Sequence, residues 1–424
     1  MRIVSDIELR GYDIDTEHAE SYADELRKQA ERAHDNVVKH LGDINLNSPV
    51  QLKDAIEKHT QREIKNTNAK QTLEPLAEDF PVIADLLEYR EITKLLSTYY
   101  DALPQLINPK TGRIHTRLHQ NGAKTGRFSS GGGGSFNIQN QSGDARKMFV
   151  APEGHYIVNA DFAAQEVRII ASLSQEEVLL DAFERGLDSY AVLGSNFFNK
   201  PYEECYRMPD GSDTPIRSQM KVVLLSSMYG ASKYGLSRTL GISVDEADKF
   251  RTGFFETYPK ILAFIERAQA FAKRNGFVWI GKQARKRRLP DARGKETFIP
   301  WGKWNDPAYK QARDKNGAIS RSMRQAPNAM VQGLAAIQTK LTMLKLDELI
   351  KRKGWQWFAP IHDELAIYTA DDLSAEDIAE IDCIMTQSYL LDGVDNASDI
   401  EIQRRWGESI TAEEYINGKE VPEL

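Results

Sequence analysis

Three acidic side chains stand where a metal-dependent reaction could use them. Asp161 closes the apolar run HYIVNADF, and Asp363 and Glu364 lie where the two apolar runs of WQWFAPIHDELAIYTA meet. Two ionised carboxylates about 4 Å apart repel by about 1 kcal/mol in water and about 4 kcal/mol at an effective dielectric near 20, so acids brought together require a cation. Hard oxygen ligands with little histidine suit Mg²⁺, which keeps waters and takes one or two protein carboxylates plus substrate phosphates. Two such ions can clamp the attacking and leaving oxygens of a phosphoryl transfer. Taken singly, each acid reads more simply as a turn residue.

A second constellation is cationic. In RSQMKVVLLSSMYG, the residues Arg217, Lys221, Leu225 and Tyr229 recur at intervals of four. Four residues advance a helix by about 400°, so they form one slowly drifting stripe, charged at its start and apolar at its end. A triphosphate fits that pattern: Arg offers a planar fork and Lys a point charge, while Leu225 and Tyr229 can lie against sugar and base. Alone, Arg217 and Lys221 would be snorkelling or solvated cations. A further basic segment runs from Arg267 to Lys295, with ten basic residues against Asp291 alone. It could meet phosphates or form a solvated face.

The elements that must position these groups follow from period and punctuation. Residues 16–41 form a long amphipathic helix ended by Gly42; NLNSPVQLKDAIEK starts another with Ser or Asn caps and a Pro; residues 73–100 are helical again. Asn108 to Gly112 is a turn, RIHTRLHQ alternates like a strand, and TGRFSSGGGGSFNIQNQ is a loop with a flexible GGGGS run. The run ending at Asp161 is a strand followed by the helix AAQEVRIIASLS, and helical patterns then dominate to about residue 275. GFVWIGKQARKRRLP is a strand with a basic turn, FIPWGKWNDPAYKQARDKNG an irregular insertion, and about 319–352 a helix. WQWFAPIHDELAIYTA is two strands joined by a tight turn. No internal repeat is present.

Bulk properties bound the class. The 424 residues exceed one usual hydrophobic core, which predicts two or three subdomains. With 41% hydrophobic and 28% charged residues the composition is that of a soluble globular protein. No apolar run reaches membrane length and the N-terminus lacks a signal pattern, which predicts a cytoplasmic protein, in the host cytoplasm if viral. Cys205 and Cys383 make no metal or disulfide framework. The net charge of −7 does not exclude nucleic acid, since potentials act locally.

Together the motifs resemble the family A DNA polymerases, those similar to bacterial DNA polymerase I, over nearly the whole chain. The segment from Asp161 to Arg168 (DFAAQEVR) resembles motif A; Arg217, Lys221, Leu225, Tyr229 and Gly230 resemble motif B; His362-Asp363-Glu364 resembles motif C. Flanking matches include YREITKLLSTYYDALPQLINPKTGRIHT, TGRFSS, NIQN and NAMVQGLAA. The resemblance implies a helix-rich α+β right-hand fold with an antiparallel-sheet palm, helical fingers and a helical thumb. Residues 1–42 would be a helical segment at the base of palm and thumb, 43–118 the thumb, 119–172 the first part of the palm, 173–290 the fingers with the motif B helix at about 213–230, and 291–424 the second part of the palm.

The same resemblance implies site roles. Asp161 and Asp363 would bind two Mg²⁺ ions, with Mn²⁺ as a substitute, the Phe162 carbonyl as a further ligand and Glu364 beside them. Glu166 would exclude a ribose 2′-hydroxyl. Arg217 and Lys221 would hold the dNTP, Lys221 also protonating pyrophosphate, and Tyr229 and Gly230 would lie by the template base. Arg127, Gln139, Asn140 and His362 would sit near the primer or template end, and Arg324, Asn328 and Gln332 would read the duplex minor groove.

Departures from the family pattern are Leu225, where most members carry Phe or Tyr, and Tyr190 in the dNTP site, where a His is usual. The GGGGS connection, the segment after NIQN and residues 296–316 differ in length. The implied protein is a monomeric phage or bacterial replication or repair polymerase acting on primer-template DNA and dNTPs, open to accessory replication proteins, with no membrane partner and no proofreading domain in this chain. Two alternatives are a single-subunit RNA polymerase, opposed by Glu166 and the acid after Asp363, and a catalytically impaired DNA-binding accessory protein, opposed by intact Asp161, Lys221 and Asp363.

Overall fold

The computed structural model describes residues 2–424. Its centre is a five-stranded antiparallel sheet in the order Gln356–Ile361, Glu364–Ala370, His155–Phe162, Ser398–Gln403, Ser409–Thr411. The strand that ends in Asp161 is therefore central. Its interior residues, Tyr156 to Ala160, are buried, because helices and residues from 7–30 and 92–149 pack with the sheet in one core. Three of these strands are the expected ones; the two C-terminal strands leave little trace in the sequence, since SDIEIQ and SIT are short and half polar.

Helix Thr16–Leu41 forms as expected, with Asp15 as its N-cap and Gly42 at its C-terminus at φ 85°. Its first half packs in the core of the sheet, through Ala19, Ala23 and Leu26, while Val37 and Leu41 belong to a separate core of residues 37–86. Helix Pro49–Thr60 is capped by Ser48. The expected helix over 73–100 is broken: it comprises Glu74–Ala77, Pro81–Leu95 and a π turn at Leu96–Tyr100. Pro81 explains the break, because it lacks an N–H and drives Phe80 into extended backbone, φ −130° and ψ 96°. RIHTRLHQ is strand only at Leu118–His119, paired with Ser129–Ser130.

Eight helices lie between 165 and 275, among them Gln165–Ser174, Ser189–Phe198 and Pro215–Met228. They share a second core in which Tyr258, Phe254, Met220 and Leu224 are buried. Phe277–Ile280 and Arg285–Arg288 form an antiparallel hairpin. The helix after the insertion begins at Lys310, well before the expected 319, and runs 44 residues to Lys353. Its early turns are solvated and carry Gly317, so they lack the apolar period that marks a helix in sequence. This helix contributes Val331 and Leu334 to the helical core and Met343 and Leu346 to the sheet core, and so ties the two together.

Candidate active site

Strand register builds the acidic end of the site. Asp161 lies opposite Glu364 on one neighbouring strand and opposite Asp399 on the other, so the three carboxylates share one face. Asp363 is held beside them: the Phe162 amide donates to its carbonyl at 3.4 Å. The turn that carries Asp363 is the two-residue hairpin His362-Asp363, in which His362 is exposed and adopts φ 59°. A turn this tight demands positive φ, at a cost that proteins retain mostly at functional sites. Ala164, after Asp161, is likewise left-handed at φ 51°, turning the chain sharply from strand into helix Gln165–Ser174.

Burial and mutual repulsion leave these acids short of compensation. Asp161 is pushed up to about 7, first by burial and then by Asp363, Glu364 and Asp399. Glu364 is also raised to about 7 by burial, although Arg146 at 3.7 Å opposes the shift. Asp161 Oδ1 and Glu364 Oε1 are buried without a hydrogen-bond partner. Orphaned, repelling carboxylate oxygens fit a hard divalent cation. Among the described residues no group of three or more His, Cys, Asp or Glu is spaced to hold a metal unaided. A hard divalent ion held by one or two carboxylates draws its remaining oxygens from water and substrate phosphate.

Helix Pro215–Met228 supplies the cationic edge. Thr214 caps it, its Oγ1 accepting from the Arg217 amide at 3.1 Å, with Pro215 in the first turn. The Arg217 guanidinium donates to Asp188 Oδ2 at 2.7 Å and to Asp213, and lies 5.5 Å from the centre of the Tyr190 ring. Lys221, one turn on, is exposed, and Leu225 is half-buried. Tyr229 turns back to the first turn of helix Gln165–Ser174, donating to one oxygen of Glu166, while Arg127 donates to the other at 2.5 Å. Gln332 also hydrogen-bonds Tyr229. Burial comes first among the causes that raise the Tyr229 phenol, followed by the Glu166 charge. The phenol therefore stays a donor.

The long helix closes the third side. Arg324, Asn328 and Gln332 recur every fourth residue along it, and Asn328 Oδ1 is buried without a partner. The Arg324 stem packs on Gly230 and its guanidinium donates to Ser320 Oγ at 2.6 Å. Asn140 is exposed. Gln139 is buried instead, its amide donating to the Pro360 carbonyl at 3.2 Å, which braces the strand leading to His362.

Several neighbours of the site carry weaker signals in the sequence. Asp399 and Glu401 show their common face in the alternation of SDIEIQ, and Asp213 stands four residues before Arg217, a helix-pair spacing. Asp188 and Arg146 carry no such local signal, because their partners are distant in the chain.

A family model for DNA polymerase family A matches residues 16–408. The chain belongs to DNA polymerase family A. It is 32% identical over 420 residues to the thermostable DNA polymerase I of Thermus filiformis, covering 96% of this chain and 47% of that protein. It is 33% identical over 333 residues to DNA polymerase I of Pseudomonas aeruginosa, covering 77% of this chain and 33% of that one. The chain thus spans less than half the length of these curated relatives. Among solved structures it is similar to the POL domain of Pol1 from M. smegmatis, determined in complex with DNA primer-template and dNTP, with a TM-score of 0.81 and 27% identity over 96% of this chain and 69% of that one. The fold is accordingly the helix-rich α+β fold of a family A polymerase domain. Family A membership also implies use of divalent metal in general. No helix among the described residues is long and apolar enough to cross a membrane.

Proposed function

We propose that the chain is a template-directed DNA polymerase that joins the α-phosphate of a dNTP to a primer 3′-hydroxyl and releases pyrophosphate. The observation that carries this reading is the Phe162–Asp363 backbone hydrogen bond, which sets the acids of motifs A and C side by side although they are 202 positions apart in the chain. Asp161 and Asp363, with the Phe162 carbonyl, would hold two Mg²⁺ ions or Mn²⁺ in their place, with Glu364 behind them. Bound there, such ions stabilise charge on the attacking and leaving oxygens.

The chain's own groups do the rest. Arg217 presents its fork to the triphosphate and Lys221 Nζ, free of any ion pair among the described residues, neutralises it and donates a proton to the leaving oxygen. Glu166, fixed by Arg127 and Tyr229, is a rigid wall against a 2′-hydroxyl. Leu225 and Tyr190 complete the nucleotide's surroundings, and Tyr229 and Gly230 flank the template base. Arg324, Asn328 and Gln332 face the minor groove, where the acceptors are common to all correct pairs. Asn140, Arg127 and His362 meet the primer or template end, and Gln139 acts as a brace. Residues 43–118 serve as thumb, supported by their separate core; 119–172 and 291–424 serve as palm, and 173–290 as fingers.

One assay tests this. On a primed template the chain should extend with dNTPs and not with rNTPs, and Asp363→Asn should abolish extension while duplex binding persists. Equal use of rNTPs would favour an RNA polymerase. Duplex binding by the unaltered chain with no extension would favour the accessory-protein reading.

A further inference from the structure

Residues 296–316 carry three exposed aromatic side chains. Phe298 is 82% exposed, Trp301 101% and Trp304 58%. The segment is nonetheless closed at its base. The Thr297 amide donates to Asn316 Oδ1 and the Asn316 side-chain amide returns a bond to the Thr297 carbonyl, both at 2.8 Å. Arg313 further anchors the loop through the Trp304 and Asp306 carbonyls. The three rings are thus presented to solvent on a loop fixed at both ends.

The hairpin end and the long helix, whose Ala318 follows Asn316 by two residues, enclose a groove of 350 Å³ lined also by Lys124, Arg287, Arg288 and Arg321. None of these four cations has a carboxylate partner among the described residues, although Asp291 shares the groove. Between residues 293 and 321 there are seven basic residues against three acidic ones. Arg321 lies one turn before Arg324 on the same helix, so the groove continues the face assigned to the duplex. At about 1.5 Å per residue the helix start at Lys310 lies about 20 Å from Arg324.

We propose that Phe298, Trp301 and Trp304, with the adjoining cationic groove, bind the unpaired template overhang of a primer-template. Successive bases would stack on the rings while the groove holds phosphates. Stacking on exposed rings requires unpaired bases, because duplex bases are already stacked on one another and opening a step costs free energy. The cations distinguish this surface from a docking site for an apolar protein partner. The inference rests on the polymerase reading, since the overhang is the only unpaired part of that substrate.

The test uses the full chain without metal or dNTP, at one fixed salt concentration, and measures affinity by fluorescence anisotropy. The substrates are a primer-template with a template overhang of about two nucleotides and one with about twelve. The unaltered chain should bind the longer overhang about tenfold more tightly. Trp301→Ala with Trp304→Ala should bind both alike, with affinity for the short-overhang substrate retained, and Trp301→Phe with Trp304→Phe should keep the preference. A chain that shows no preference, or an alanine variant that keeps it in full, overturns the proposal. Primer extension by the unaltered chain is scored separately: extension without an overhang preference sinks this inference alone, whereas absence of extension sinks the polymerase reading.

Discussion

The Tyr229 hydroxyl donates to the Glu166 carboxylate, joining the end of helix Pro215–Met228 to the first turn of the helix that follows Asp161. The two helices are thereby connected through one acid, which Arg127 holds from the other side. Glu166→Ala should widen the space at the sugar and lower discrimination against rNTPs by about 10²-fold. It should also cost about 1–3 kcal/mol of stability, because Arg127 loses its charged partner. Single-nucleotide incorporation kinetics and chemical denaturation measure the two effects; unchanged sugar selectivity would remove Glu166 from the sugar pocket.

Asp161 is less stable as an anion in the metal-free fold than in the unfolded chain. Its folded value of about 7 stands above the ordinary carboxylate value near 4. Between these the native state binds more protons than the unfolded state, so stability from this group is complete below about pH 4 and is lost as pH rises through about 7. Asp161→Asn cannot ionise. With chelator present the variant should match the unaltered chain near pH 4 and exceed it at about pH 8 by on the order of 2 kcal/mol, while extension is abolished. Adding Mg²⁺ at the higher pH should stabilise only the unaltered chain. Equal pH profiles for the two metal-free proteins would show that Asp161 is not held among repelling acids.

Much of this site was legible because its parts are local motifs. The stripe from Arg217 to Tyr229 and the face carrying Arg324, Asn328 and Gln332 follow from helical period alone. That Asp161 and Asp363 would meet was visible only through resemblance, because strand pairing across 202 positions leaves no periodic trace. The early start of the long helix was hidden because its first turns are solvated. Gln139 illustrates a different limit: sequence types it as a polar loop residue, and only packing reveals that its amide is spent on the Pro360 carbonyl.

Arg217 is held by two carboxylates, those of Asp188 and Asp213. Asp188 gives one carboxylate oxygen to the Ala191 amide, capping helix Ser189–Phe198, and the other to Arg217. A triphosphate must compete with that second bond. Asp188→Asn keeps the cap through its one amide oxygen and turns an NH2 donor toward the guanidinium, so the bond to Arg217 is lost with the charge, and KM for dNTP should fall about threefold to tenfold with kcat little changed. Arg217→Ala should raise KM instead, by about 10²-fold. Steady-state extension kinetics decide the matter, and a KM that ignores Asp188→Asn would mean that Arg217 keeps both carboxylates when nucleotide binds.

Gly230 meets two demands at once. Its φ of 69° lies in the left-handed region, and a Cβ there would come within 2.5 Å of Arg324 Cγ and 2.7 Å of Arg324 Cβ. The backbone conformation alone costs an L-residue about 1–2 kcal/mol, and the collision adds to it because Arg324 Cβ is fixed by its helix. Gly230→Ala should therefore destabilise the protein by more than that conformational cost and weaken duplex binding by displacing Arg324. In Gly230→Ala with Arg324→Ala the collision with the outer stem disappears, so the loss of stability should be smaller than the sum of the two single losses, by about 0.5–3 kcal/mol, as expected for residues in direct contact. Denaturation of all four proteins measures that coupling. Strict additivity would assign the requirement for glycine to the backbone angle alone and release Arg324 from its contact with the end of helix Pro215–Met228.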